Sequence, residues 1–118
     1  MNKLQLAAKE VDGKTVLFLE GYLNESGGEL LRQTVSELLA GSPPTLALDF
    51  GGTSLVNSIG ISSLLEVIEI ARRRNTALEL VRVPEEIGDL FRLLGISAQV
   101  PVHREAGVWS PKVAGTGA

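Results

Sequence analysis

Cysteine is absent from this chain of 118 residues, and histidine occurs once, at position 103. The absence of cysteine excludes a disulfide framework, a thiolate metal site and a cysteine nucleophile. A single histidine leaves almost no scope for a histidine-based metal cluster or a catalytic triad. We therefore predict that the protein is not an enzyme, with no catalytic residues, no metal site and no cofactor.

Positive charge, aromatic side chains and long apolar runs are scarce as well. Eleven basic and fourteen acidic residues give a net charge of -3, and aromatic residues make up 4%. This composition offers little to a nucleic-acid backbone or to stacked bases. No stretch approaches the ~20 apolar residues that cross a bilayer, and the N-terminus lacks a signal-peptide pattern. We predict a cytoplasmic protein with no direct nucleic-acid partner and no membrane insertion.

What the sequence does contain is typical of one globular domain. Hydrophobic residues make up 44% and charged residues 21%, close to the globular average. We expect a single domain over 1–106. Residues 107–118 are rich in Gly, Pro, Ala, Ser and Thr, which predicts a flexible tail. Trp109 lies in that tail, and the sequence leaves open whether it covers apolar surface or anchors a partner.

Strand patterns open the chain. Residues 4–9 alternate apolar and polar side chains, residues 15–20 form a more continuous apolar run, and the turn signal Asp12-Gly13 lies between them. These features predict a hairpin whose second strand ends at Gly21. Ser26-Gly-Gly-Glu29 fits a capping box, so a helix is predicted over about 27–40, with Leu30 and Leu39 widening its apolar stripe.

The second half alternates strands and helices. Residues 45–49 predict a buried strand, 51–57 a loop, 76–83 a strand and 98–102 a short edge strand. The clearest helical stripe is Ile61, Leu64, Leu65, Ile68 and Ala71, and a third helix beginning at Pro84 has the stripe Ile87, Leu90, Phe91 and Leu94. The predicted fold class is α/β, with a mixed sheet of four or five strands and helices mainly on one face.

The most informative segment runs from Asp49 to Ser62, where a buried strand leads into the best helix. Ser58 precedes that helix, at a position where backbone N–H groups and the helix dipole favour an anion. A phosphate there would add about -1.5 to -2 charges at pH 7. The simpler alternative is that Ser58 only caps the helix.

Three segments resemble the STAS domain, whose best-known members are bacterial anti-sigma factor antagonists. They are Val56-Asn57-Ser58-Ile59-Gly60-Ile61 after the strand ending in Asp49, Leu19-Glu20-Gly21-Tyr22-Leu23-Asn24 before the first helix, and Val83-Pro84 with Leu90-Phe91 and Leu94-Gly95-Ile96. The resemblance covers about residues 3–103, in the family's order of elements.

The resemblance implies a STAS-type fold and a signalling function. Ser58 would be the residue phosphorylated by a serine-kinase anti-sigma factor, and a PP2C-type phosphatase would reverse the modification. The unphosphorylated domain would bind the kinase and free its sigma factor. The partner-binding residues implied in this way are Asn24, Asn57, Ser58, Ile59, Gly60 and Ser62.

The sequence departs from the family pattern near Ser58. Asn24 and Asn57 stand where the family has aspartates, Ile59 replaces a small hydroxyl residue, and Ser62 replaces a glycine. These changes favour an alternative: a STAS adaptor subunit of an ABC lipid-transport or sensory complex that is not phosphorylated.

Other motifs have ordinary explanations beside functional ones. Ile59, Ser63, Val67 and Ile70 form a second line on the main helix, which suits core packing or a partner surface. Residues 72–74 are three arginines at the predicted end of a helix. They could bind an anion or an acidic partner, but a favourable interaction with the helix dipole is the simpler explanation. Glu85 and Glu86 suit the first turn of a helix better than catalysis. His103 is predicted at the surface, near an edge strand.

Overall fold

The computed structural model describes residues 2–105, and the expected tail over 107–118 and Trp109 lie outside them. The described residues form strands β1 (Gln5–Val11), β2 (Lys14–Leu23), β3 (Thr45–Val56) and β4 (Ala77–Val81), and helices α1 (Glu25–Leu39), α2 (Ser58–Arg73) and α3 (Glu85–Leu93). The sheet order is β1-β2-β3-β4. β1 pairs antiparallel with β2, whereas β3 is parallel to both β2 and β4. The predicted α/β fold with a mixed sheet is confirmed.

All three helices contribute to the main core, which lies on one face of the sheet. Alternate strand residues such as Leu17, Leu48 and Leu80 meet the buried sides of α1 and α2 there. Phe91 of α3 packs edge-on against Phe50 of β3, with ring centroids 5.5 Å apart. Residues on the opposite face form a small second cluster of strand residues.

The predicted end of the second strand at Gly21 is wrong. β2 continues to Leu23, and Gly21 is an irregular position within it, where the register with β3 shifts before Tyr22. Gly21 has a φ of +112°, and a Cβ atom there would lie 2.7 Å from the Lys3 carbonyl oxygen. A glycine at this position therefore accommodates a bulge rather than a strand end.

The predicted loop over 51–57 is also wrong, because β3 continues through Gly51-Gly52 to Val56. Pairing with β2 supplies the partner for this extension, with Gly21 opposite Thr53 and Leu23 opposite Val56. Nothing in the local sequence announces that pairing.

The chain end and three leucines also differ from expectation. Residues 98–102 do not form a strand, and Val102 makes a single parallel bridge to Leu80. Leu30, Leu65 and Leu94 were predicted to face the core but are 40%, 37% and 50% exposed. In each helix the buried stripe is narrower than the apolar pattern.

Candidate functional site

Two helices begin side by side at one edge of the sheet. β2 and β3 are parallel neighbours whose last residues, Leu23 and Val56, are register partners. α1 follows β2 after Asn24, and α2 follows β3 after Asn57. The parallel pairing therefore places both helix N-termini at the same edge, and we call this surface the paired N-termini.

An asparagine caps each of these helices. The Asn57 side-chain oxygen accepts a hydrogen bond from the Gly60 amide at 2.8 Å. The Asn24 side-chain oxygen accepts one from the Gly27 amide at 3.0 Å. The predicted cap at Ser26 is wrong, because Ser26 lies inside α1 and its hydroxyl donates to Asn24 at 3.4 Å. An amide oxygen satisfies a free N–H as a carboxylate would, but without the negative charge.

Ser58 is the first residue of α2 and is exposed. The cap is Asn57, so the capping role considered for Ser58 falls to its neighbour. Within residues 2–105 no hydrogen bond occupies the Ser58 hydroxyl, while the Ser58 carbonyl accepts a bond from the Ser62 hydroxyl at 3.3 Å. The hydroxyl therefore makes no contact that stabilises the fold, and it is accessible to another protein.

The surroundings of Ser58 combine one apolar side chain with polar ones. Ile59 is 48% exposed, Asn57 and Ser62 are exposed, and Asn24 is half-buried. An open cleft of about 580 Å³ lies between the paired N-termini, lined by Asn24, Glu25, Ser26, Glu29, Asn57 and Ile59. The structure thus brings Asn24, Asn57 and Ile59 to one cleft.

Gly60 has a different role from its neighbours, because it is buried. A Cβ atom at position 60 would lie 2.1 Å from the Leu23 carbonyl oxygen. That contact is far shorter than any van der Waals separation, so α2 can approach the end of β2 only with glycine here. Gly60 shapes the site from beneath rather than presenting a side chain to a partner.

Acidic residues of α1 are the functional candidates that the sequence reasoning missed. Glu25 and Glu29 line the cleft. Arg32 forms ion pairs with Glu29 and, at 3.6 Å, with Glu66 of α2. The hydrogen bond with Glu29 raises the pKa of Arg32 above its ordinary value. The parallel pairing of β2 with β3 brings Glu25 and Glu29 next to the start of α2. The sequence alone did not reveal that pairing, so these acids were not predicted.

The second line on α2 divides between core and surface. Val67 is fully buried and Ile70 packs against the same core. Ser63 faces Gly28 of α1, where the two helices approach closely. Only Ile59 of this line is exposed, so the core explanation holds for its C-terminal part and the partner explanation remains for Ile59.

A family model described as "Mlab, STAS domain" matches residues 6–102. The chain belongs to the STAS family. No protein of curated function matches the sequence. Within residues 2–105, no helix is long and apolar enough to cross a membrane.

Solved structures with this STAS fold are distant in sequence. An anti-sigma factor antagonist from Mycobacterium paratuberculosis is 19% identical, with 88% of each chain covered and a TM-score of 0.78. A sulfate transporter family protein from Wolinella succinogenes is 16% identical, with 80% of each chain covered and a TM-score of 0.72. The Bacillus cell fate determinant SpoIIAA in its phosphorylated form is 18% identical, covering 84% of this chain and 89% of that one, with a TM-score of 0.63. At these identities the likeness establishes the fold.

Proposed function

We propose that this STAS domain is an anti-sigma factor antagonist. The paired N-termini bind a serine-kinase anti-sigma factor, and binding releases the sigma factor that the kinase holds. Phosphorylation at Ser58 ends the binding, and a PP2C-type phosphatase restores it. The protein is then a substrate and binding module of the cytoplasm, not a catalyst. The observation that carries the proposal is the exposed Ser58 hydroxyl at the first position of α2.

The position of Ser58 allows a phosphate without loss of the fold. The first turn of α2 carries partial positive charge and no acidic residue. Asn57 already satisfies the Gly60 amide, so modification of Ser58 removes no hydrogen bond described in the structure. The added charge therefore changes the surface that a partner meets and leaves the core intact.

The cleft explains why that charge would end binding. Glu25 and Glu29 line it from the α1 side and Ile59 from the α2 side. A complementary partner would place an apolar pocket over Ile59. A phosphate of about -1.5 to -2 charges beside Ile59 would have to lose its water in that contact, which is costly.

A charge-mimicking substitution tests the switch. Ser58→Asp should weaken binding to the cognate serine-kinase anti-sigma factor at least tenfold, or about 1.4 kcal/mol. Calorimetric titration of the purified pair measures this change. Ser97→Asp, at an exposed serine on another part of the surface, is the matched control and should bind like the wild type. Equal affinity of wild type and Ser58→Asp would refute the phosphorylation switch.

The departures at positions 24 and 57 support a second candidate. Both acids of the family pattern are replaced by asparagines that act as helix caps. A cap that carries no charge suits a permanent interface as well as a switched one. The domain would then be an unphosphorylated adaptor subunit of an ABC lipid-transport or sensory complex. Capture from the native cell, with intact-mass analysis of the bait, separates the two: an ABC ATPase and an unmodified bait support the adaptor.

A further inference from the structure

We propose that the free edge of β3 binds an extended peptide segment of a partner protein as an added strand, with a carboxylate of that segment held by Arg82. The free edge is defined as residues 51–56 on the side that does not face β2. This inference concerns a surface beside the paired N-termini, and it requires neither the kinase partner nor phosphorylation of Ser58.

The free edge arises because β3 is longer than its neighbour β4. Pairing with β4 ends at Asp49, opposite Val81, whereas pairing with β2 continues to Val56. Within residues 2–105, no strand pairs with residues 51–56 on the side that β4 leaves open. An unpaired strand edge presents main-chain N–H and C=O groups that can pair with another chain. The free edge therefore offers hydrogen bonds to a partner in extended conformation.

The side chains of this edge suit such pairing. The stretch reads GGTSLV and contains neither proline nor a charged residue, which often protect strand edges. Gly51, Gly52, Ser54 and Leu55 are exposed, and the glycines leave room for close approach of another backbone. Register shifts with β2 occur at the start of the stretch and within it. Because bulges disrupt a ladder locally, the added strand is short.

Leu55 gives the edge an apolar contact for the incoming segment. It is 40% exposed and is the register partner of Tyr22 of β2. The next residue of β2, Leu23, belongs to the main core, so alternation along the strand directs Tyr22 and Leu55 to the opposite face. An apolar side chain of the added strand would continue this row, because neighbouring strands pair their side chains on each face.

Arg82 supplies charge complementarity at the other end of the edge. It directly follows β4, and its Nε lies 3.0 Å and 2.9 Å from the two carboxylate oxygens of Asp49. Within residues 2–105 its terminal nitrogens Nη1 and Nη2 make no hydrogen bond, and its side chain is 38% exposed. A Cβ atom at Gly51 would lie 2.6 Å from the guanidinium carbon, so the guanidinium lies over the start of the free edge. A planar fork of free N–H groups suits a carboxylate.

These two contacts define the chemistry of the occupant. Gly51 and Leu55 are separated by about 13 Å in an extended strand. The bound segment is therefore expected to carry an acidic group and an apolar side chain at about this separation. Leu55 is followed closely by Asn57 and Ser58, so a protein that inserts this segment would also reach the paired N-termini.

A synthetic peptide tests main-chain pairing. The probe is a fluorescein-labelled hexapeptide of alternating threonine and valine that ends in an amidated aspartate. Antiparallel addition, the slightly more stable pairing, places this aspartate beside Arg82. Fluorescence anisotropy with the full-length chain measures its Kd, and N-methylation of alternate residues should weaken binding at least tenfold. Equal binding of the methylated peptide, or no binding of the parent at millimolar concentration, would overturn the proposal.

A second peptide isolates the role of Arg82. The wild type should bind the aspartate peptide at least threefold more tightly than an asparagine analogue. Arg82→Lys keeps a cation beside Asp49 but loses the planar fork, so this preference should disappear while the urea midpoint stays near that of the wild type. Arg92→Lys, at an exposed arginine of α3, is the matched control and should keep the preference. An unchanged preference in Arg82→Lys would refute the carboxylate contact.

The location of binding is tested independently of Arg82. Leu55→Ala should weaken peptide binding severalfold, and Leu93→Ala, at a leucine of α3 that is 78% exposed, should not. In NMR titrations the peptide should shift the amide resonances of residues 51–56 and leave those of β1, at the other edge of the sheet, in place. Shifts confined to β1 would overturn the proposal. So would a dimer in sedimentation whose formation shifts the amides of residues 51–56, because the occupant would then be a second copy of this chain.

Discussion

At position 60 the backbone of α2 comes so close to β2 that a hydrogen atom is the largest substituent that fits. The neighbouring site residues meet no such limit, since Asn57, Ser58, Ile59 and Ser62 are exposed. Two positions close together in the chain can therefore each require a particular residue, but for different reasons. Gly60 is required for packing, and Ser58 would be required for chemistry.

Gly60→Ala should destabilise the protein by about 2 kcal/mol or more, because the added methyl group collides with the Leu23 carbonyl. Urea unfolding followed by far-UV circular dichroism measures the change. Gly88→Ala is the matched control within a helix, since its Cβ would meet Val83 at an ordinary 3.7 Å. The control should gain about 0.5–1 kcal/mol from improved helix propensity. Equal effects at both positions would contradict the close approach.

At the scale of the element, the caps decide where α1 and α2 begin. Asn24 and Asn57 occupy equivalent positions after neighbouring strands and accept equivalent hydrogen bonds. The geometry of the paired N-termini thus rests on two amide side chains. Replacing either asparagine tests how much the cap stabilises its helix, and it leaves the Ser58 hydroxyl unchanged.

Asn57→Ala should lower the free energy of unfolding by about 1 kcal/mol, because the Gly60 amide loses its acceptor. Asn57→Asp should keep that bond and add a favourable interaction with the dipole of α2, so its stability should equal or exceed the wild type. Thermal or urea unfolding at neutral pH compares them. Gln33→Ala, at an exposed position of α1, is the control for removing an amide side chain. If Gln33→Ala lowered the free energy of unfolding as much as Asn57→Ala, the result would argue against the capping role of Asn57.

The sequence predicted the kinds of elements better than their ends. The turn at Asp12-Gly13, the stripe on α2 and the stop at Gly95 are local signals, and each is matched by a hairpin, a helix or a positive φ. Ser26-Gly-Gly-Glu29 satisfied a capping pattern, but Asn24 caps the helix two residues earlier. Both residue types cap well, so local chemistry could not choose between them.

The sequence predicted Ser58, its neighbours and Asn24 as parts of the candidate site, but it did not predict the acidic residues of α1. Gly51-Gly52 has the composition of a turn, yet it continues β3 because β2 pairs with it. That pairing joins residues more than thirty positions apart in the chain. It also brings Glu25 and Glu29 to the cleft, which is why a linear pattern did not reveal them.

At the scale of the whole molecule, protection should follow the order of strands in the sheet. β2 and β3 are central and supply most of the buried strand residues, whereas β1 lies at the edge with mainly exposed side chains. Stability to local opening depends on burial and on pairing from both sides.

Native-state hydrogen exchange should therefore be slowest for amides of residues 46–49 in β3, which pair with both β2 and β4. The outward amides of β1 should exchange fastest among the strands. Mass spectrometry of peptic fragments, or NMR of assigned amides, measures both. Exchange in β1 as slow as in β3 would contradict this order and point to an additional partner along the β1 edge.

β3 extends beyond the end of β4. Its pairing with β4 ends at Asp49, while its pairing with β2 continues to Val56. The final stretch of β3 is thus fastened on one side, to the same strand that carries α1. A movement of Asn57 would also move Asn24, because the residues before them, Leu23 and Val56, are paired in the sheet. A partner that binds here and shifts the N-terminus of one helix would therefore shift the N-terminus of the other as well.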